Sequence, residues 1–328
     1  MKKNITLIVI FVFAVSLIVD CSGSSDYMVL NEIRYINTFP QIFSIDNGIK
    51  IDLENIDVIG IINFRIYDSL LVIATSDNDG LWSFVSLPDF RFLGKFLTIG
   101  QGPYEFFQYQ FVGDGVNFFK ENEEIFSSIF HFDKGKLYKM NIDESIKNQR
   151  LDIYTIHDSL PPVLLFDFVE IDSVTFFCKE ISNKETQQIR YLLINGEKII
   201  PHHFKKLNLA KIREREDFNI LSTSTKYDFS TKRIVEMPGH LNYINIYSID
   251  GSFGKTICIG EQLDNIGKIQ DRNRWTDRMA TFNDLRLFSN FWGVLFINEI
   301  QTIKERKRFP NIFCRIRNIP SHQNRQKG

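Results

Sequence analysis

Alanine is nearly missing from this chain, occurring four times in 328 residues, at positions 14, 74, 210 and 280. Alanine is the strongest helix former, so its scarcity sets aside helical bundles and α-solenoids. Cysteine is also sparse. Cys21, Cys178, Cys258 and Cys314 stand far apart with no C-x₂-C pair, which excludes a zinc ribbon and a disulfide framework. The last three are expected as small buried apolar side chains. Neither G-x-S-x-G nor H-E-x-x-H occurs, so the plainest hydrolase and metalloprotease signatures are lacking. A site gathered from several elements would leave no such spacing to read. Charge of one sign is lacking as well: 39 basic residues face 40 acidic ones, and no basic footprint for nucleic acid results.

Aromatic residues are plentiful, with 31 Phe and 11 Tyr. Such side chains suit a pleated, half-buried surface, so the chain is expected to be mostly strand. The N-terminus has the form of an export signal: Lys2 and Lys3 precede an uncharged apolar run from Ile5 to Val19, shorter than the roughly 20 residues of a membrane span. Asp20, Cys21, Ser22 and Gly23 follow. Residues 1–21 are therefore read as a bacterial lipoprotein signal ending at the cysteine that takes the lipid. Ordinary cleavage with secretion and an uncleaved anchor are the alternatives, and Asp20 stands where a small residue is usual. Residues 22–27 form a short linker. At the other end, residues 304–328 carry eight Lys/Arg and one acid, Glu305. Three readings of this basic tail stay open: a genuine extension, an arm that contacts a partner or membrane, or the product of a truncated or shifted frame.

Between these ends, apolar runs alternate with turn signals. Four hairpins are legible: Leu81–Leu87 with Phe92–Ile99 across Pro88-Asp89, Ser128–Phe132 with Leu137–Asn141 across Lys134-Gly135, Arg190–Ile194 with Lys198–Ile200 across Asn195-Gly196, and Tyr243–Ile249 with Lys255–Ile259 across Asp250-Gly251. Asn-Gly and Asp-Gly supply the positive φ that tight hairpin turns require. The turns at Asp89, Gly135, Gly196 and Gly251 are separated by steps of 46, 61 and 55 residues, close to the period of a four-stranded propeller blade with insertions. The expected fold is an all-β propeller over residues 28–303. A β-sandwich is the alternative. Asn208–Asn219 reads as a short helix or a surface loop.

One loop carries a family likeness. Gly100-Gln101-Gly102-Pro103-Tyr104-Glu105-Phe106 follows a strand-like run, and the chain resembles the TolB-like six-bladed β-propeller lipoproteins of Bacteroides-type bacteria, whose members carry a G-x-G-P-x-E-F loop after the first blade. Gly100, Gly102, Pro103, Glu105 and Phe106 match. Gln101 stands where a basic residue is frequent, and Tyr104 where a small one is. The resemblance covers roughly residues 25–298 and implies a six-bladed β-propeller, its last blade incomplete if the tail is aberrant, in a lipid-anchored protein of the cell envelope, without a reaction.

The loop has neither the Lys and Ser/Thr of a P-loop nor a dinucleotide fingerprint. It is read as a constrained crossover whose Glu105 accepts backbone N–H groups. Asp77-Asn78-Asp79-Gly80 looks rich in oxygen but lacks the spacing of an EF-hand, so a solvated turn is expected. His202 and His203 are adjacent in a strand-like context and point apart. His131, His157, His240 and His322 are isolated. Trp82, Trp275 and Trp292 read as packing residues. No catalytic residue, metal site or cofactor is assigned. The leading functional expectation is a non-enzymatic binding or scaffold propeller, held to the membrane by lipid on Cys21, with an unknown protein or glycan partner. The alternatives are a hydrolase or lyase acting on a glycan or ester through axis-facing carboxylates, and a truncated, non-functional relative.

Overall fold

A computed structural model describes residues 25–38, 58, 60–107, 116–158, 160, 165–182, 184–216, 218–271, 279–288, 291–300 and 312–317. The signal, Cys21, residues 22–24, and residues 304–311 and 318–328 of the tail lie outside the described residues.

Among the described residues, twenty strands form five sheets, and within each the antiparallel strands follow chain order. The first sheet comprises β2 (Ile61–Tyr67), β3 (Leu70–Thr75), β4 (Trp82–Ser86) and β5 (Phe92–Phe96). The second comprises β6 (Val116–Glu121), β7 (Glu124–His131), β8 (Lys136–Asn141) and β9 (Ile153–His157). The third runs through β10 (Leu165–Glu170), β11 (Thr175–Ile181), β12 (Gln188–Ile194) and β13 (Glu197–Ile199), and the fourth through β14 (Thr223–Asp228), β15 (Arg233–Pro238), β16 (Tyr243–Ser248) and β17 (Gly254–Ile259). The fifth has β18 (Met279–Phe288), β19 (Phe291–Ile300) and β20 (Ile312–Arg317).

The opening strands of successive sheets touch, β6 against β10, β10 against β14, and β14 against β18. Those strands are therefore innermost, and the sheets radiate from them as the blades of a propeller. Five blades are present among the described residues, where six are expected from the resemblance. All four hairpins read from the sequence form, and at Asn195 and Gly196 the φ angles of 51° and 83° are the positive pair that a tight turn demands. One feature departs from expectation. Strand β20 lies within the basic tail and pairs with β19, so the sheet structure extends past residue 303: its alternation of Ile312, Cys314 and Ile316 with Phe313, Arg315 and Arg317 is enough for a strand once β19 offers its edge. Of the two readings for 208–219, the described residues take the loop, with the start of a 3₁₀ turn at Phe218–Leu221. A single helical turn, α2 (Phe204–Leu207), precedes them, after α1 (Ile142–Asn148) in the second blade.

The cores lie between neighbouring sheets. Strand β3 is buried along its whole length. Trp82, Phe84 and Phe96 of the first sheet pack on Phe118, Ile129 and Tyr138 of the second, so truncating Trp82, fully buried, should cost about 3–5 kcal/mol. In β11, Phe176 and Cys178 join a cluster with Leu137 of the second sheet, while Phe177 joins Tyr227, Ile234 and Tyr247 of the fourth. Alternation along one strand thus feeds two interfaces. Strand β1 (Glu32–Ile36) pairs in parallel with β17 at the outer edge of the fourth sheet.

Candidate functional site

The Gly100–Phe106 loop is fastened from both ends. Gly100 N–H donates to Phe106 O at 2.9 Å, and Phe106 N–H donates to Thr98 O at 2.9 Å. Gly102 N–H donates to Glu105 Oε2 at 2.7 Å. A Cβ at Gly100 would fall 2.0 Å from that same oxygen, so the glycine is required by the close approach of the carboxylate. From the second sheet, Lys134 Nζ donates to Gly102 O and Glu105 O, both at 2.7 Å, and Tyr138 OH donates to Pro103 O at 2.8 Å. Phe106 is fully buried and stacks on His131 at 4.9 Å. Burial, with Lys134 close by, pushes the His131 imidazole below its usual range, so this histidine is neutral packing at pH 7. These contacts join the first blade to the second.

Other residues singled out in the sequence are separate from one another. Asp77 accepts from Asp79 N–H at 3.1 Å and pairs with Lys95 at 3.1 Å, so a lysine serves the carboxylate of the calcium-like turn. His157 Nε2 lies 2.9 Å from Ser173 O. His203 does not follow His202 along a strand; it precedes α2 and packs on Phe204 at 4.6 Å.

Two arrangements had no motif to announce them. The first is a polar rung between the third and fourth blades. Asp167, Lys179 and Arg190 are cross-strand neighbours on β10, β11 and β12, and Thr225, Glu236, Asn245 and Thr256 are neighbours across the fourth sheet. Lys179 Nζ lies 2.7 Å from Asp167 Oδ2 and 3.2 Å from Glu236 Oε1, and also donates to Thr223 and Thr225. Arg190 Nε reaches both Glu236 oxygens at 2.9 Å, and the arginine also reaches Gln188 Oε1 at 3.1 Å. Lys179, Arg190 and Glu236 are fully buried. Burial raises the Glu236 pKa, but Arg190 and Lys179 outweigh it and the net shift is downward. Two cations balance two carboxylates out of contact with solvent, an arrangement of a sealed interface rather than of a substrate site.

The second lies where the inner strands end. Phe119 near the end of β6 stacks on its cross-strand neighbour Phe126 at 6.0 Å and meets Phe229, just beyond β14, at 6.2 Å. Rings from the second and fourth blades therefore meet across the third blade's inner strand. Phe229 is 41% exposed. Lys139 Nζ sits 4.5 Å from the Phe126 ring centre and 5.2 Å from that of Phe119, and it pairs with Glu121 at 2.5 Å. Glu170, the last residue of β10, is 8% exposed, and its Oε2 has no hydrogen-bond partner among the described residues. Burial pushes its carboxyl above the usual range. Half-exposed ring faces beside a fixed ammonium and a carboxylate can stack on a sugar or an aromatic or cationic side chain. The hairpin read over 128–141 places Lys139 on a strand; nothing local signals Phe126, Phe229 or Glu170.

No known protein family matches the chain, and no curated protein matches it. Among solved structures, it is similar to a hypothetical selenium-binding protein from Sulfolobus tokodaii (14% identity, 73% of this chain and 58% of that one, TM-score 0.36). It is also similar to virginiamycin B lyase from Staphylococcus aureus (10% identity, 80% and 71%, TM-score 0.32) and to a protein of unknown function from Bacteroides thetaiotaomicron (8% identity, 73% and 53%, TM-score 0.38). The chain thus spans less than two thirds of the first and third of these. Likenesses this loose identify neither ligand nor reaction; the class defined by the sheets themselves is an all-β propeller.

Proposed function

We propose that the protein is a lipid-anchored β-propeller of the cell envelope, akin to the TolB-like lipoproteins, that binds a glycan or protein ligand without transforming it. The ligand sits where the inner strands end, on Phe119, Phe126 and Phe229. The observation that carries this is the meeting of Phe119 and Phe229 beside a lysine already held by Glu121: an aromatic platform with its charge fixed in place favours recognition over proton transfer. The test is titration of the purified protein with soluble peptidoglycan fragments and envelope oligosaccharides. Phe119→Ala with Phe229→Ala should weaken binding about tenfold or more, two ring contacts of about 0.5–1.5 kcal/mol each. Binding that ignores both substitutions refutes the site. The anchor is tested separately: Cys21→Ser should move the protein from the membrane to the soluble fraction.

One observation favours a second reading. Glu170 is a buried carboxyl with a raised pKa, the property of a general acid in a hydrolase or lyase. Chemical conversion of a bound oligosaccharide by the wild type and not by Glu170→Gln would establish it.

A further inference from the structure

Asp26, residues 211–213, Asn265 and helix α3 (Ile266–Asp271) line an open groove of about 460 Å³ that shares no residue with the aromatic site. Its wall includes Lys211, Arg213 and Lys268 against a single carboxylate, Asp26. Asp26 is occupied at one oxygen by Asn265 Nδ2 at 3.2 Å. Gln270 also lines the groove. It is 2% exposed, and its side-chain nitrogen has no hydrogen-bond partner among the described residues. A buried amide N–H left without an acceptor is destabilising, and a ligand oxygen would satisfy it.

We propose that this groove binds a phosphate group, with Lys211 and Lys268 supplying charge and Gln270 Nε2 a neutral donor from the floor. Two lysines against one carboxylate select an anion, and ammonium groups serve phosphate well as point charges. Asp26 follows Cys21 by five residues, a span of at most about 18 Å in extended chain, so an anchored protein would hold the groove next to phospholipid headgroups. That last step rests on the anchor proposed above, whereas phosphate binding does not.

The test titrates the full-length protein with inorganic phosphate and, in parallel, with glycerol 3-phosphate as a soluble headgroup, following the side-chain amide of Gln270 by NMR. Saturable shifts of that amide are expected, and Lys211→Glu with Lys268→Glu should weaken binding at least about tenfold at an unchanged melting temperature. Tighter binding of glycerol 3-phosphate assigns the site to a headgroup; preference for the inorganic ion assigns it to free phosphate. No saturable response to either anion up to about 10 mM, or binding indifferent to the charge reversals, overturns the proposal. Failure of Cys21→Ser to release the protein from membranes would refute the anchor and leave the phosphate titration standing.

Discussion

Replacing Glu236 by leucine tests the polar rung most directly. The carboxylate faces Arg190 at 2.9 Å and Lys179 at 3.2 Å, all three fully buried. Removing one partner of a buried pair typically costs about 3–5 kcal/mol, because the remaining charge is stranded. Here each cation keeps something: Lys179 retains Asp167 at 2.7 Å, and Arg190 retains Gln188 Oε1 at 3.1 Å. The expected loss is therefore about 3 kcal/mol, at the low end of the range. Urea unfolding followed by far-UV circular dichroism would show it as a midpoint lower by about 1 M at unchanged slope. Adding Arg190→Met should recover part of the loss, since an apolar pair strands less charge than a lone arginine. The sign in pH is also fixed. The folded pKa of Glu236 lies below its ordinary 4.5, so its stabilising contribution is complete above that pH and disappears as pH falls through the lowered value; the leucine variant should lack that acid-side loss. A destabilisation below about 1 kcal/mol, or a double variant worse than the two single ones combined, would refute the assignment.

Three further outcomes follow from the same geometry. Gly100→Ala should destabilise by about 1–3 kcal/mol in thermal melts, because its Cβ displaces the Glu105 carboxylate and strands the Gly102 N–H; Glu105→Ala in the same chain should relieve the clash. Burial pushes the Cys178 thiol up to about 12, and burial with Asp264 nearby pushes Cys258 up to about 11, so mass spectrometry should find neither alkylated by iodoacetamide at pH 8 until the protein unfolds. Because Glu170 has a raised folded pKa, stability should fall as pH rises from its ordinary value through the folded one, and Glu170→Gln should flatten that fall in melts recorded across pH 4–8.

What could be read from the sequence was local. The positive φ of Asn195-Gly196 and Gly251 is dictated by the turn residues themselves, and each turn fixes the register of the two strands beside it. The close packing of the Gly100 loop on Glu105 was similarly written within six residues. Glu236 and Arg190 were not legible as partners: each is one charge inside an apolar run, on β15 and β12, and only the approach of two sheets joins them. Phe229 and Glu170 meet the Phe119 region for the same reason. The parallel pairing of β1 with β17 was hidden further still, since Glu32 aligns with Lys255, and nothing in either segment names the other. The strand within the basic tail was obscured by its charges, which an edge strand tolerates.

The seat of the N-terminal strand has a consequence for the order of assembly. Residues 28–36 are synthesised before their partners, several of which lie more than two hundred residues downstream: Met28 N–H donates to Tyr243 OH, its carbonyl accepts from Asn245, Leu30 N–H donates to Thr256, and Glu32–Ile36 run beside Lys255–Ile259. Closing so long a loop is slow. The stretch of chain made near the beginning is thus put in place near the end. Until then β17 presents a bare edge of unpaired backbone, open to a strand from a neighbouring molecule. Whatever holds residues 25–36 aside until then therefore governs whether this propeller matures alone or aggregates with its neighbours.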